Sequence, residues 1–227
     1  MSEEKVSRKR DFPCEITSRR FERKYEIEHF TPALVEQYIS LHPAGFRRLF
    51  PDRVVNNIYF DTPNLLTFHQ NIAGVNQRSK FRLRWYGKDY QKIEKSVFEV
   101  KMKHNELGSK QLYKLGAMDW KRTPQLHQDL LTLAPEFAVL RPSLYNCYLR
   151  SYFGTPNGKF RITIDRKMRF AMPSQRPSFH LTNNNIIVEV KYKETEDQAA
   201  DFILQHLPFR STKSSKYVTG MLLTTES

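Results

Sequence analysis

Lys80, Arg82 and Arg84 alternate with Phe81, Leu83 and Trp85 along one short stretch of the chain. Side chains of a strand alternate between its two faces, so the three cations share one side and the three apolar groups the other. Three like charges with no carboxylate among them repel. A guanidinium also presents a planar fork that matches phosphate oxygens with two parallel hydrogen bonds. The chemistry such a face could do is to hold a phosphorylated anion. Four further stretches repeat the pattern. Glu22, Lys24 and Glu26 alternate with Arg23 and Tyr25; Glu99, Lys101 and Lys103 with Phe98, Val100 and Met102; Arg161, Thr163 and Asp165 with Phe160, Ile162 and Ile164; Glu189, Lys191 and Lys193 with Val188, Val190 and Tyr192. Arg150 sits between Tyr148 and Tyr152 in the same spacing.

Two readings of these faces stand. In one they are the wet side of an open antiparallel sheet, which commonly alternates apolar-in and polar-out. In the other the charged side lines the lumen of a closed barrel and helices cover the apolar outside. Arginines recurring at strand centres favour the lumen, as does Lys213-Ser214-Ser215-Lys216, which lies where a last helix should begin. A helix N-terminus repels cations and attracts anions, so lysines there are stabilised by a bound phosphate or else point to water.

Composition narrows the partner. The chain has 227 residues, with 37 Lys and Arg against 24 acidic residues and a formal net charge of +13. A surplus of that size points to nucleic acid, an anionic membrane or a polyphosphorylated molecule. Trp85 and Trp120 are isolated and no nucleic-acid-binding motif is present, so no nucleic acid is expected. No run reaches the ~18 apolar residues of a membrane span, which leaves a peripheral membrane or membrane-protein partner. Cys14 and Cys147 have no metal or redox spacing, and a cytoplasmic setting is expected. The seven histidines show no ligand pair at helical spacing, which argues against zinc. Gly154–Lys159 falls one residue short of a P-loop and sits in a hairpin.

The elements that must position these faces are strands near Phe21–His29, Val54–Phe60, Lys80–Tyr86, Val97–Lys103, Lys110–Leu115, Tyr145–Phe153, Phe160–Asp165, Arg166–Ala171 and Ile186–Lys193. Thr31-Pro32, Thr62-Pro63 and Thr123-Pro124 each read as a cap followed by a first-turn proline. Thr195 with Gln198 reads as a capping box for a fourth helix, and a fifth starts near Ser214. A polar leader is expected over residues 1–18 and a single domain over 19–227. A hairpin loop of four residues, Gly154–Asn157, would set Arg150 opposite Arg161; one of five would separate them onto opposite faces.

Arg20-Phe21-Glu22-Arg23-Lys24-Tyr25, Tyr59-Phe60-Asp61-Thr62-Pro63, Arg82-Leu83-Arg84, Glu99-Val100-Lys101, Arg161-Ile162-Thr163-Ile164-Asp165, Glu189-Val190-Lys191 and Lys213-Ser214-Ser215-Lys216 follow one another in order. Together they resemble the VTC domain, the polyphosphate polymerase branch of the triphosphate tunnel metalloenzyme superfamily. The resemblance implies an α+β fold: an eight-stranded antiparallel β-barrel forming a tunnel, with short helices packed on the outside. It implies a polyphosphate polymerase-like phosphotransferase acting on ATP or another triphosphate and on polyphosphate. By motif, Lys24, Arg82, Arg84, Lys101, Arg150, Arg161, Lys213, Ser215 and Lys216 would bind phosphate. Glu189 would hold Mn2+ or Mg2+, and Tyr148 would touch the nucleotide. Arg82, Arg84, Lys101, Arg161 and Glu189 would carry catalysis. The triphosphatase branch opens with Glu-x-Glu-x-Lys; here the first glutamate is Arg20, which disfavours hydrolysis and fits the VTC branch. Hydrolysis of triphosphate and a non-catalytic polyphosphate-binding module are the alternatives, and no oligomeric state is read from the sequence.

Overall fold

The computed structural model describes residues 14–88, 92–104, 107–119, 123–173 and 181–225. Nine strands lie within them: β1 (Cys14–Ile27), β2 (Arg47–Asp61), β3 (Gln77–Tyr86), β4 (Lys92–His104), β5 (Leu107–Asp119), β6 (Arg141–Gly154), β7 (Arg161–Ala171), β8 (Leu181–Asn183) and β9 (Ile186–Lys193). Their spatial order is β6-β2-β3-β4-β5-β1-β9-β7, and β7 pairs back onto β6, closing a ring of eight; the short β8 hangs from β7. Every pairing is antiparallel. Closure gives every strand of the ring two neighbours, β1 meeting β5 through Cys14–Arg20 and β9 through Arg20–Ile27.

The apolar faces lie outside the ring, under helices. Ile162, Ile164, Val188 and Val190 are covered by Val35 and Ile39 of α1 (Pro32–Ser40) and by Ala200 and Ile203 of α4 (Asp197–Gln205). On the opposite side Leu83, Trp85, Phe98 and Val100 pack with Leu130 of α3 (Thr123–Leu133) and with Phe137 of a short 3-10 turn. Each such side chain, once dry, contributes about 1.5–3 kcal/mol. The hydrophobic effect therefore fixes which face points out, and the charged face is left to the lumen.

The last helix, α5 (Lys216–Thr225), takes a different place from α1, α3 and α4. Its Tyr217 and Met221 join Phe68 of α2 (Leu66–Ile72) against Tyr59, Leu144, Tyr148, Phe170 and Ile187. Those strand residues have the lumen-facing parity, so α5 lies across one end of the ring. Asp61 pins it there. One carboxylate oxygen accepts hydrogen bonds from the Tyr217 hydroxyl at 2.7 Å, the Thr67 hydroxyl at 2.7 Å and the Phe68 backbone N–H at 2.9 Å. The other accepts from the backbone N–H of Thr62 and of Thr67.

Several expectations shift in detail. β1 starts at Cys14, ahead of Phe21, so the end of the expected leader is strand; residues 1–13, Trp120 and His180 lie outside the described residues. The stretches Phe160–Asp165 and Arg166–Ala171 form one strand, β7, bulged at Lys167, whose φ of 53° is left-handed. The bulge brings Met168 and Phe170 to the lumen side after Asp165. The β6–β7 connection runs through Thr155–Phe160, longer than either loop considered, and sets Arg150 opposite Asp165 with Arg161 opposite Gly154. Arg150 and Arg161 thus share a face without facing each other. The Thr31 cap forms, accepting from the Leu34 N–H. The Thr195 capping box does not: a 3-10 turn, Glu194–Glu196, takes up that residue and α4 begins at Asp197 without a side-chain cap.

Gly220 is where α5 comes closest to the barrel. A Cβ there would stand 2.4 Å from Phe170 Cδ1 and 2.5 Å from Leu144 Cδ2. Overpacking of this kind typically costs about 1–3 kcal/mol. Gly220→Ala is expected to lower the thermal midpoint and to lift α5 off its seat, read as faster hydrogen exchange in residues 216–225; an unchanged melt and exchange pattern would show that α5 is not held there.

Candidate phosphate-binding tunnel

The lumen wall collects one face of seven strands. It presents Glu22 and Lys24 from β1, Lys80, Arg82 and Arg84 from β3, Glu99 and Lys101 from β4, and Lys110 from β5. Arg150 from β6, Asp165 from β7 and Glu189 and Lys191 from β9 complete it. Ser215 and Lys216 reach in from the start of α5. Nine cations thus stand against four carboxylates.

The carboxylates organise the cations. Glu99 is 1 % exposed and receives Arg82 at 2.5 Å and Arg84 at 2.7 Å, with Lys110 at 3.9 Å. Asp165 is fully buried and takes Arg150 in a two-pronged pair at 2.5 and 2.6 Å, and the Lys216 ammonium at 2.7 Å. Glu189 touches Lys191 at 2.6 Å and stands 3.6–3.8 Å from Arg150, Lys216 and Lys24. Glu22 accepts from Lys101 at 2.5 Å. Burial works against all four carboxylates being charged, yet the surrounding cations hold Glu22, Glu99, Asp165 and Glu189 below the usual carboxylate range.

The surplus cations show the strain. Burial, with neighbouring cations, pushes Lys24 down to about 8 and Lys110 down to about 7. Lys80 is driven well below the ordinary lysine value by burial and by Lys24, Lys101, Arg78 and Lys103; its partner among the described residues is the Ser215 hydroxyl, at 2.9 Å. Lys24 donates to the Ser214 carbonyl at 2.8 Å. Lys216 moves the other way, raised by Asp165 and Glu189 against its burial. The arrangement is a water-accessible sleeve of donors short of negative charge, which a chain of phosphates would supply.

Most of the expected site residues meet in this sleeve: Lys24, Arg82, Arg84, Lys101, Arg150, Glu189, Ser215 and Lys216. Tyr148 does too, with Arg150 and Lys216 cations 5.2 and 5.1 Å from its ring centre. Arg161 keeps the lumen parity but is exposed at the rim, and Lys213 is exposed beside α5; neither joins an ion pair among the described residues. Lys80 and Lys191 belong to faces legible in the sequence but were not expected at the site. Lys110 was missed because Gly108, Ser109 and Gln111 blur the alternation around it, and Asp165 emerges as the counter-ion of Arg150 and Lys216.

Among the described residues no cluster of three or more His, Cys, Asp or Glu side chains could hold a metal unaided. Glu189 nonetheless lies beside oxygen donors. Thr163 is paired directly across from it, and the Thr163 hydroxyl is buried without a hydrogen-bond partner among the described residues. Glu22 is near enough to feel the Glu189 charge. These donors are oxygens of the kind a hard divalent cation takes, but Lys191, Arg150, Lys216 and Lys24 already stand within 3.8 Å of Glu189, so a cation would enter only together with phosphate that engages those side chains.

The chain belongs to the VTC domain family, whose sequence model matches residues 19–225. No curated protein matches it by sequence. Solved structures share the fold, three of them as follows. One is a candidate adenylate cyclase from Vibrio parahaemolyticus (TM-score 0.51, 13 % identity, 87 % of this chain and 95 % of that one). Another is the PH1819 protein from Pyrococcus horikoshii OT3 (TM-score 0.51, 12 % identity, 91 % and 99 %). The third is HpAC1 from Hippeastrum, a candidate adenylyl cyclase with a dominant triphosphatase activity (TM-score 0.50, 14 % identity, 89 % and 94 %). Family and fold together define a triphosphate-tunnel protein.

Two outcomes follow from the charge imbalance. Glu99→Gln strands Arg82, Arg84 and Lys110 without their counter-charge and is expected to cost about 3 kcal/mol of stability. Added tripolyphosphate should raise the variant's melting temperature more than the wild type's; equal shifts would mean that Glu99 does not offset those cations. The second outcome concerns pH. A lysine whose folded-state value lies below its unfolded value is less protonated in the folded protein. Stability contributed by Lys24 and Lys110 therefore rises with pH from about 7 towards 10. Anion affinity should fall over the same range, because the cations lose their protons. Melting curves and binding of trimetaphosphate, whose own charge is constant there, check both signs; affinity that rises with pH would refute the assignment.

Proposed function

We propose that the tunnel transfers phosphoryl groups from a nucleoside triphosphate to the end of a growing polyphosphate chain. In the reaction a terminal phosphate oxygen of the chain attacks the γ-phosphorus. The bond from that phosphorus to the β–γ bridging oxygen breaks, and a nucleoside diphosphate leaves. The attacking oxygen is already ionised at neutral pH, so no general base is required. The protein's task is alignment and offsetting of charge on the transferred group. Arg82, Arg84, Lys101 and Arg161 would carry that task, with Lys24, Arg150, Lys213, Ser215 and Lys216 holding the flanking phosphates. Glu189 would hold Mn2+ or Mg2+ with the triphosphate, which when bound draws charge from the phosphate oxygens.

The observation that carries this reading is the row Lys80, Arg82 and Arg84 facing a lumen with fewer than half as many carboxylates as cations. Arg20 adds to it. Paired with Lys193 on the lumen-facing parity, it puts a cation where a metal-binding carboxylate would favour hydrolysis. A second reading, hydrolysis of triphosphate, is supported by the fold shared with HpAC1, whose dominant activity is triphosphatase. A cytoplasmic setting fits two free cysteines. No helix among the described residues is long and apolar enough to cross a membrane, and a peripheral contact with a membrane or membrane protein would draw on the net charge of +13.

Incubation of the purified protein with ATP and Mn2+ is expected to yield long-chain polyphosphate on a gel, together with ADP. Arg82→Ala and Glu189→Gln should each slow chain growth by about 100-fold or more. Release of orthophosphate with no chain growth would favour hydrolysis. Binding without turnover, unaffected by Glu189→Gln, would leave a polyphosphate-binding module.

A further inference from the structure

Beyond Arg84 the lumen wall changes character. Four residues of lumen parity meet there: Phe50 and Arg53 of β2, Tyr86 at the end of β3 and Tyr152 of β6. Two register shifts in β2, one between Arg48 and Phe50 and one between Phe50 and Arg53, flank Phe50, and the second spans Pro51. Through them Phe50 faces Tyr152 while Arg53 faces Arg150, although the two β2 residues are an odd number of positions apart. Bulges re-aim side chains in this way. The Arg53 guanidinium lies 4.6 Å from the Phe50 ring centre and 5.7 Å from those of Tyr86 and Tyr152. It makes no ion pair among the described residues and stands directly across the strands from Arg150, a like charge. The Arg84 guanidinium lies 5.4 Å from the other neighbour of this cluster, the Tyr86 ring. Phe50 and Tyr86 remain 41 % and 46 % exposed, so each keeps an open face. Tyr152 is buried, and among the described residues its hydroxyl makes no hydrogen bond of ordinary geometry.

We infer that this rim is a stacking platform for the nucleobase of the phosphoryl donor, an inference that rests on the reading of the tunnel as a nucleoside-triphosphate site. Rings and a guanidinium offer planar faces on which any base can stack. Their place on the wall matches the length of such a ligand. From Tyr86 to Arg82 is four residues of strand, about 13 Å at the usual rise. A base seated on Tyr86 and Phe50 therefore sends its phosphates along Arg84 and Arg82 towards Lys80 and the start of α5. Stacking tolerates any base, so the platform favours nucleoside triphosphates over inorganic triphosphate without selecting among bases.

The test measures the binding of ATP, GTP and inorganic tripolyphosphate to the wild type and to Tyr86→Ala, Phe50→Ala and Tyr86→Trp. Both truncated side chains are half-exposed, and melting curves confirm that the variants fold. The expected result is about tenfold weaker ATP and GTP binding in each alanine variant. Tripolyphosphate affinity should change by less than about twofold, and Tyr86→Trp should restore nucleotide affinity. Equal losses for ATP and tripolyphosphate, or no loss for either, would overturn the platform and leave the tunnel reading standing. So would a wild type that binds tripolyphosphate but not ATP. A wild type that binds neither ligand would overturn both.

Discussion

Nine cations held inside a ring of strands, against four carboxylates, set the terms for the rest of the molecule. Charges of one sign in a partly dry space repel, and each loses hydration. The barrel bears this because its other face is dry: the layers beneath α1 and α4, and beneath α3, bury rows of Val, Ile, Leu and Phe. Those layers hold the wall rigid while its inner face remains unsatisfied. The carboxylates do not neutralise the lumen. Glu99 and Asp165 fix the heading of Arg82, Arg84 and Arg150 and leave other N–H groups available, a donor array set before any anion arrives.

The end helix belongs to the same balance. Ser215 and Lys216 reach the lumen only because α5 is seated on Phe170 and Leu144 through Gly220 and tied to β2 by the bond from Tyr217 to Asp61. Asp61 meanwhile accepts the Thr67 and Phe68 N–H groups in the first turn of α2. A single buried carboxylate outside the phosphate-binding set therefore couples two helices and one strand end, and through them the position of the Lys216 ammonium beside Asp165 and Glu189.

Much of the wall was legible because strand parity is strict. Lys80-Phe81-Arg82-Leu83-Arg84-Trp85 can present only one face to a dry layer, and Trp85 and Leu83 decide which. Parity says nothing of register or bulges. The left-handed Lys167 and the irregular stretch around Pro51 carry no pattern that separates them from ordinary strand, so the single long β7 and the shared face of Phe50 and Arg53 emerge only from the pairing. Lys110 lies on a strand whose other lumen-side neighbours are Gly108 and Leu112, too mixed to signal a wall. The capping box at Thr195 failed for a local reason: a 3-10 turn satisfies that stretch before α4 begins.

The choice of acceptor, phosphate or water, then turns on what the lumen concentrates. Water needs no help to enter a hydrated tunnel, so a hydrolase gains from carboxylates that orient metal and water. A second polyanion needs its own repulsion from the first offset, and that requires cations beyond those the donor triphosphate engages. The wall here spends few carboxylates and carries Arg20 at a position where one more was available. Lys80, with no counter-ion but a serine hydroxyl among the described residues, is such a surplus cation. Under the proposed reading, the excess of positive charge is the feature through which a polyphosphate end would compete with water for the γ-phosphorus.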